Sequence, residues 1–570
     1  GGIINIVDNT IPRADIEDLE LKIGLESQSV NDGDSKNFSY ANNIGGINLT
    51  LAYKDSKFGN FDVPHGAIIH SEEHEDEHEE DLSFLANSDY ESESSRIGVS
   101  KTAEWGYIGA SYSNVESLYG IPFHGEEHQE GHEEEGHDEE GHEDERILSS
   151  TESDVFNLEG SIVLSNNFIK KADFYFRDTD YSLTEQHAEE AHEGHSERPT
   201  LFKNDAKEYG VTFDLGSKAI SRKIVLKNAD EKMSIIGEES FMNPTDSDEL
   251  SIGYYVSAPT VLFHIDFGLR YDKISRNGSV AHKEDDHDDH GHDYHHDDEV
   301  EIDYFDKDIN STSYAFSISN DLNDFFSVNL GLSYLERAPS AVELFMNGPH
   351  LATGRYEVGN TNLKAEESNN MDLTFSYQNE GFFGSLTFFR NNIDNYIYLS
   401  DETEEEHEKH EEEEHHEDLI LSNYLQKNAE MDGYELEFGR TFGFYQGELL
   451  VSFGIDSVSA EFSDGTDIPR IAPARSIYRL TYTEDDLKFL VSYKDVDGQD
   501  DIGLGETATM GYEMLNMRIT KTFAMGDGDL NLSVFGTNLL DEVARNHTSF
   551  VKNEVPLAGR NYGAKFIYKF

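Results

Sequence analysis

The sequence predicts an all-β chain, closed into a 22-stranded antiparallel barrel with short turns on one rim and long loops on the other. Three observations lead there. Tyr at 29, Phe at 35 and Gly at 46, against 11 Pro and 1 Trp, make a strand-and-turn composition. Residues alternate apolar and polar from about residue 13 to the last residue, which is the period of a strand with one apolar face. The connections between these strands come in two kinds, short and long, and the kinds alternate.

The alternation is clearest at 263–271, where Phe263, Ile265, Phe267, Leu269 and Tyr271 share one face and His264, Asp266, Gly268 and Arg270 the other. At 371–378, Leu373, Phe375 and Tyr377 oppose Asp372, Thr374, Ser376 and Gln378. Strands are expected at 20–27, 36–43, 46–55, 94–102 and 106–115, and so on to 562–570, with short turns at 166–167, 258–260 and 379–381. An even number of strands separates each long loop from the next, so all long loops leave one rim, the pattern of a barrel that crosses an outer membrane. No run of about 18 apolar residues exists to make a helical span. In the last strand Ala564, Phe566, Tyr568 and Phe570 point one way and Lys565 and Lys569 the other, ending on an aromatic residue as outer-membrane barrels do.

Charge and cysteine content narrow the partners. A formal charge of -73 excludes nucleic acid, whose phosphates need clustered Lys and Arg, and favours cations. With no cysteine, a metal would be held by nitrogen and oxygen alone. Five segments, 70–81, 124–145, 185–197, 281–303 and 401–418, hold 21 of the 25 histidines and 48 of the 116 acids. The densest of them, at 282–299, reads HKEDDHDDHGHDYHHDDE. An acidic run without histidine is usually a solvated tail, but acidity alone does not account for the histidines. Imidazole mixed with carboxylate suits zinc, nickel or copper, whereas calcium and magnesium prefer oxygen alone.

Candidate ligands follow from spacing. His70, His74 and His78 lie four apart, one face of a helix if the segment turned helical. His132, with its preceding glycine, opens a five-residue Gly-His repeat that favours many weak, exchanging sites, and His124 and His128 stand just before it. His287, His290, His292, His295 and His296 crowd the densest segment. His350 lies outside any low-complexity run and is the first candidate for a fixed ligand, with Glu343 and Glu357 as weaker ones. His264 reads as a lumen-lining residue. No nucleophile-and-base arrangement or phosphate-cradling loop appears, so no enzyme is expected.

Two stretches carry a family resemblance. NLSVFGTNLLDEVARNHTSFVKNEVPLAGRNYGAKFIYKF at 531–570 resembles the C-terminus of TonB-dependent receptors, and ERAPSAVELFMNGPHLATGRYEVGNTNLKAEESNNMDLTF at 336–375 resembles their seventh extracellular loop. GGIINIVDNTIP at 1–12 resembles the end of the plug domain that fills such barrels, leaving 13–570 as the barrel. Within the family, NGPHLAT, YEVGN and YGIPFH resemble the zinc-transporting ZnuD type. The resemblance implies an outer-membrane importer of a divalent ion, zinc first, acting as a monomer in outer-membrane lipid. It also implies energy from a TonB–ExbB–ExbD system acting through the plug.

A receptor of the same family for haem, or for a metal chelate or siderophore, is the nearest alternative, haem because Arg337, Ala338 and Pro339, then His350, then 360–363 follow that type's order. An acidic calcium-binding protein on a soluble β-sandwich and a passive porin are the others. If the histidine-rich loops gather metal, protons compete for the imidazoles, and zinc binding by the loops falls between about pH 7.5 and about pH 5.5. A flat calorimetric profile across that range would remove histidine from the account.

Overall fold

A computed structural model describes residues 8–69, 83–122, 147–164, 168–187, 199–217, 220–237, 240–283, 300–403 and 419–570. Twenty-two antiparallel strands, from Glu20–Gln28 to Asn561–Lys569, pair each with the next in sequence. The first and last close the sheet in the register Lys22 to Lys569 through Gln28 to Gly563. Closure leaves no free sheet edge, so the backbone polar groups of the wall are satisfied within it.

Strand existence and order match the sequence reading, while lengths do not. The strand expected at 94–102 runs Tyr90–Ala103, and the longest, Ile420–Phe444, has 25 residues. In Tyr90–Ala103 residues 91–96 are polar on both faces, so no alternation marks that extension. The turn expected at 258–260 is instead 260–263, closed by the Thr260 N–H donating to the Phe263 carbonyl at 2.7 Å, with Pro259 still in a strand. At 379–381, Asn379 ends its strand and Glu380 and Gly381 make the turn at φ 42° and 84°. The turn expected at 166–167 lies outside the described residues.

The apolar face looks outward. Leu269, Tyr271, Leu332, Met371 and Phe375 are all exposed, whereas Ser100, Ser111, Ser251 and Ser311 are buried on the inward face. Outward aromatics form ladders across strands, as in Phe438, Phe453, Tyr478 and Tyr493, with neighbouring ring centroids 4.9–6.1 Å apart. An exposed apolar band around a closed sheet is the reverse of a soluble sandwich and fits a wall bathed in lipid.

On the inner wall near the short-turn rim, residues 10–16 run against the second to fifth strands. Thr50 Oγ1 donates to the Thr10 carbonyl at 2.5 Å, Ser100 Oγ to the Pro12 carbonyl at 2.6 Å, and the Ile16 N–H to Asn48 Oδ1 at 2.9 Å. Gly98 permits this approach, since a Cβ there would sit 1.8 Å from the Thr10 oxygen.

On the other rim, consecutive loops are fastened into a collar. Arg355 from 338–365 pairs with Asp401 at 2.8 Å, and both are buried. Arg470 from 463–474 lies 3.7 Å from the same carboxylate. The Phe550 ring, from 538–560, has the Arg355 guanidinium at 4.6 Å and the Arg470 guanidinium at 4.2 Å, a cation–π contact with each. Glu506, from 497–511, accepts from Lys552 Nζ at 2.8 Å and from the backbone N–H groups of Arg470 and Gly503 at 3.0 Å each. His547 Nε2 approaches Glu506 at 3.1 Å off the line of a good hydrogen bond, while its Nδ1 meets Thr509 Oγ1 at 2.9 Å. Arg545 then reaches the Ala67 carbonyl, and Val555 packs on Val63, Ala67 and Leu85, tying the last loop to the one at 59–89.

Burial alone would raise the Glu506 pKa, but the close approach of His547 and the hydrogen bonds from Lys552 and the two backbone donors outweigh it and hold the carboxyl down at about 2. Burial pulls Lys552 the other way, below the ordinary lysine range. The pair therefore rests on the whole set of donors around Glu506 rather than on Lys552. A depressed carboxyl stabilises the fold above the unfolded-state value of about 4.5 and loses that contribution as pH falls toward about 2. Glu506→Gln should lower the exchange protection of the Gly503 and Arg470 amides by on the order of 2 kcal/mol near neutral pH. In the unmodified protein, protection corrected for intrinsic exchange should fall in the same way on acidification from about pH 4.5 toward about 2; protection independent of Glu506 would contradict its place in the collar.

Candidate metal-binding hairpin at the barrel mouth

The residues 338–365 fold inward from the strand Phe326–Arg337 and begin with a one-turn helix, Ala341–Phe345. Ser340 caps it: its Oγ accepts from the Glu343 N–H at 3.2 Å, and Glu343 Oε2 accepts from the Ser340 N–H at 2.7 Å. Arg337 reaches Glu343 with two nitrogens at 3.0 Å each and Glu366 with a third at 2.6 Å. Burial would lower the Arg337 pKa, but these carboxylates raise it. Both Glu343 oxygens are thus occupied, and the residue builds the loop entry instead of presenting a free carboxylate to a metal.

After the helix comes a hairpin that the strand count from sequence did not include. Asn347–His350 pairs antiparallel with Arg355–Val358, and the latter pairs in parallel with residues 420–423 of the strand Ile420–Phe444. Two of the acidic segments flank it. Asn347 Nδ2 donates to the Ala281 carbonyl at 2.7 Å, at the stem of the segment 281–303. Arg355 and Ser422 both bond Asp401, so the two stems of the segment 401–418 are gripped together. Beneath the hairpin Phe241, Met242, Leu344, Phe345 and Met346 form a buried apolar floor.

His350 stands on that floor, its ring 4.9 Å from the Phe241 ring. Its Nδ1 lies 2.8 Å from Glu357 Oε1. Glu357 is only 4 % exposed and also accepts from Thr353 Oγ1 at 3.1 Å and, more loosely, from the Tyr424 hydroxyl at 3.5 Å. Burial and then the Glu357 charge push the Tyr424 phenol up, which keeps it protonated and able to donate. A carboxylate on Nδ1 orients the imidazole and leaves Nε2 as the nitrogen not engaged by Glu357. Of the two side chains, His350 is the more exposed and Glu357 the buried partner that orients it.

Among the described residues no group of three or more His, Asp or Glu side chains is arranged to hold a metal ion. The hairpin therefore supplies one oriented nitrogen and not a complete coordination shell. His70, His74, His78, His124, His128, His132, His287, His290, His292, His295 and His296 lie outside the described residues. The stems around four of the five acidic segments, at 69 and 83, 122 and 147, 283 and 300, and 403 and 419, are described and sit on the long-loop rim, as do 187 and 199 around the fifth. His264 is the first residue of the strand His264–Lys283, beside the short-turn rim and bonded to Ser257 at 2.8 Å, so it is far from the mouth along its strand. His547 and Glu506 gave no sequence signal, being single residues in unremarkable loops that only the fold brings together.

Comparison with known proteins agrees with this architecture. Residues 22–539 match the family model described as TonB dependent receptor-like, beta-barrel. The Ferrienterobactin receptor of Escherichia coli K12 is 33 % identical over 97 residues, 15 % of this chain and 13 % of that protein. The Probable hemoglobin and hemoglobin-haptoglobin-binding protein 1 of Haemophilus influenzae is 28 % identical over 140 residues, 24 % of this chain and 13 % of that protein. The aligned stretches thus span about an eighth of these relatives. Among solved structures, Copper transporter OprC superposes with a TM-score of 0.74 at 13 % identity, over 97 % of this chain and 81 % of that one. The FrpB iron transporter from Neisseria meningitidis gives 0.68 at 14 %, over 99 % and 83 %. The Serratia marcescens hemophore receptor HasR gives 0.70 at 12 %, over 98 % and 81 %. At such identities the likeness is one of fold, and the family match over most of the chain carries the assignment. The chain belongs to the TonB-dependent receptors, transporters of the bacterial outer membrane and not enzymes.

Proposed function

We propose that this receptor imports a divalent transition-metal ion, zinc first, gathered by the His/Asp/Glu-rich loops and passed to His350 at the mouth. The observation that carries the reading is the place of the hairpin: an oriented imidazole fastened between the stems of two histidine-rich acidic segments, with Asn347 on Ala281 and Arg355 on Asp401. The acidic segments raise the local cation concentration, and their many weak ligands keep the ion near the rim until a better-fixed one takes it. Further ligands would come from those segments or from a plug domain, which the family resemblance implies and residues 1–12 suggest. Inward release would draw on TonB–ExbB–ExbD.

Haem is the second reading, favoured by the order of Arg337, Ala338 and Pro339, His350 and 360–363, and by the fold likeness to HasR. Haem needs one or two axial histidines and leaves the 21 loop histidines without a role. Competitive loading of the full-length protein with zinc, nickel, copper and manganese, read by elemental analysis, should favour zinc. In calorimetry, Glu357→Gln should weaken the tightest zinc site by about 10–100-fold, and His350→Ala should weaken it further in the same direction. A site indifferent to His350, or a Soret band with haem that His350→Ala abolishes while zinc binding stays unchanged, would overturn the zinc reading.

A further inference from the structure

Two cations interrupt the outward apolar face at the same height above the short turns. Arg440 stands five residues before the turn that opens at Tyr445, between the outward Phe438 and Phe442. Lys521 stands five residues before the turn that opens at Gly526, between the outward Ile519 and Phe523. Their surroundings differ in one respect. Lys521 Nζ meets the Asp486 carboxylate on a neighbouring short turn. Arg440 has no hydrogen bond or ion pair among the described residues. Its guanidinium lies instead 4.2 Å from the Phe382 ring and 4.7 Å from the Phe442 ring.

A guanidinium carries five N–H donors in its plane, and contact with ring faces attracts the cation without satisfying them. On a wall that faces lipid, such a cation is costly in hydrocarbon and tolerated where it reaches a headgroup. With strands rising about 3.3 Å per residue and tilted about 45°, the Arg440 Cα lies roughly 12 Å above the tip of its turn. Counted from their own turns, both rings beside the guanidinium are nearer the rim than Arg440 is: Phe442 lies two residues further along the strand, and Phe382 follows directly on the turn 380–381. The side chain therefore leans toward the headgroup layer.

Beside it runs a groove. Phe438, Val451, Phe453, Tyr478, Leu480 and Val491 line an open apolar hollow of about 650 Å3 on the outer wall. Val451 is the direct cross-strand neighbour of Arg440. Val451, Leu480 and Val491 stand five residues from their turns and Phe438, Phe453 and Tyr478 seven, so the hollow starts at the height of Arg440 and continues about 5 Å deeper into the bilayer. A cation with free donors on the rim side of an apolar groove matches a phosphodiester that carries a hydrocarbon chain. We propose that Arg440 and this groove form a binding site for one glycerophospholipid of the inner leaflet, the phosphate on the Arg440 guanidinium and an acyl chain in the hollow. Arginine suits the task because its planar fork can offer a phosphate two parallel N–H bonds. Lys521, already paired with Asp486, offers no equivalent charge to a lipid.

The test counts bound lipid. Full-length protein in mild detergent is titrated with phosphatidylethanolamine, or with diacylglycerol of the same chains, and observed by native mass spectrometry, with folding of each variant checked by heat-modifiable migration. One phosphatidylethanolamine should bind more tightly than those that follow, and diacylglycerol should not compete for its place. Arg440→Gln should weaken this first binding by about tenfold or more, and Arg440→Lys by less. Val451→Trp, which fills the groove and keeps the cation, should weaken it too, whereas Lys521→Gln should leave it unchanged. A first binding untouched by Arg440→Gln would overturn the site, as would an equal loss in Lys521→Gln. Equal affinity for diacylglycerol would overturn phosphate recognition, and displacement of the lipid by excess inorganic phosphate would overturn the part assigned to the groove.

Discussion

Closure of the sheet is the constraint on which everything else depends. In a hydrocarbon layer an unpaired backbone N–H or C=O has no water to turn to, so the strand Glu20–Gln28 must find Asn561–Lys569 across nearly the whole length of the chain. Once that seam forms, strand direction, turn placement and the gathering of all long loops on one rim follow without further instruction. The seam also decides which face is which: Ile23 and Leu25 look outward beside Tyr568 and Phe566, while Lys22 and Glu26 look inward beside Lys569 and Lys565.

A closed wall fixes where loops begin but not how they sit over the mouth. That is the work of a few buried charges. Asp401 receives Arg355, approaches Arg470 and accepts from Ser422, and Phe550 touches both guanidinium groups. Such a cluster is costly to break one partner at a time, because each removal leaves a buried charge uncompensated. The same collar carries the hairpin in which Glu357 orients the His350 imidazole.

Much of this could be read before the fold was known, and the limits are physical. Alternation between faces is visible wherever one face meets lipid and the other does not, so the strands through 263–271 and 371–378 announced themselves. Above the band residues 91–96 are polar on both faces, which is why Tyr90–Ala103 proved longer than its pattern. His350 stood out because it lies outside the repetitive segments in a stretch that carries the family resemblance; that Glu357 would orient it depended on a hairpin of two four-residue strands, too short to leave a periodic trace. Glu343 looked like a candidate ligand because carboxylates in a loop all look alike in one dimension. Its capping of Ser340 and pairing with Arg337 needed the capping spacing to be weighed above its charge. The cluster of Glu506, His547 and Lys552 joins two loops and was invisible for that reason.

The double grip on Asp401 has a further consequence for how such a loop can change over time. Arg355 and Ser422 hold the two stems of the segment 401–418 together whatever lies between them. With the ends already joined, lengthening the intervening chain carries only the slow logarithmic entropy of a closed loop, about 0.6 kcal/mol for a doubling of length. Runs of glutamate and histidine, easily gained or lost as short repeats, can therefore expand or shrink with little effect on the wall below. The clasp separates a conservative scaffold from a segment free to drift in length and composition.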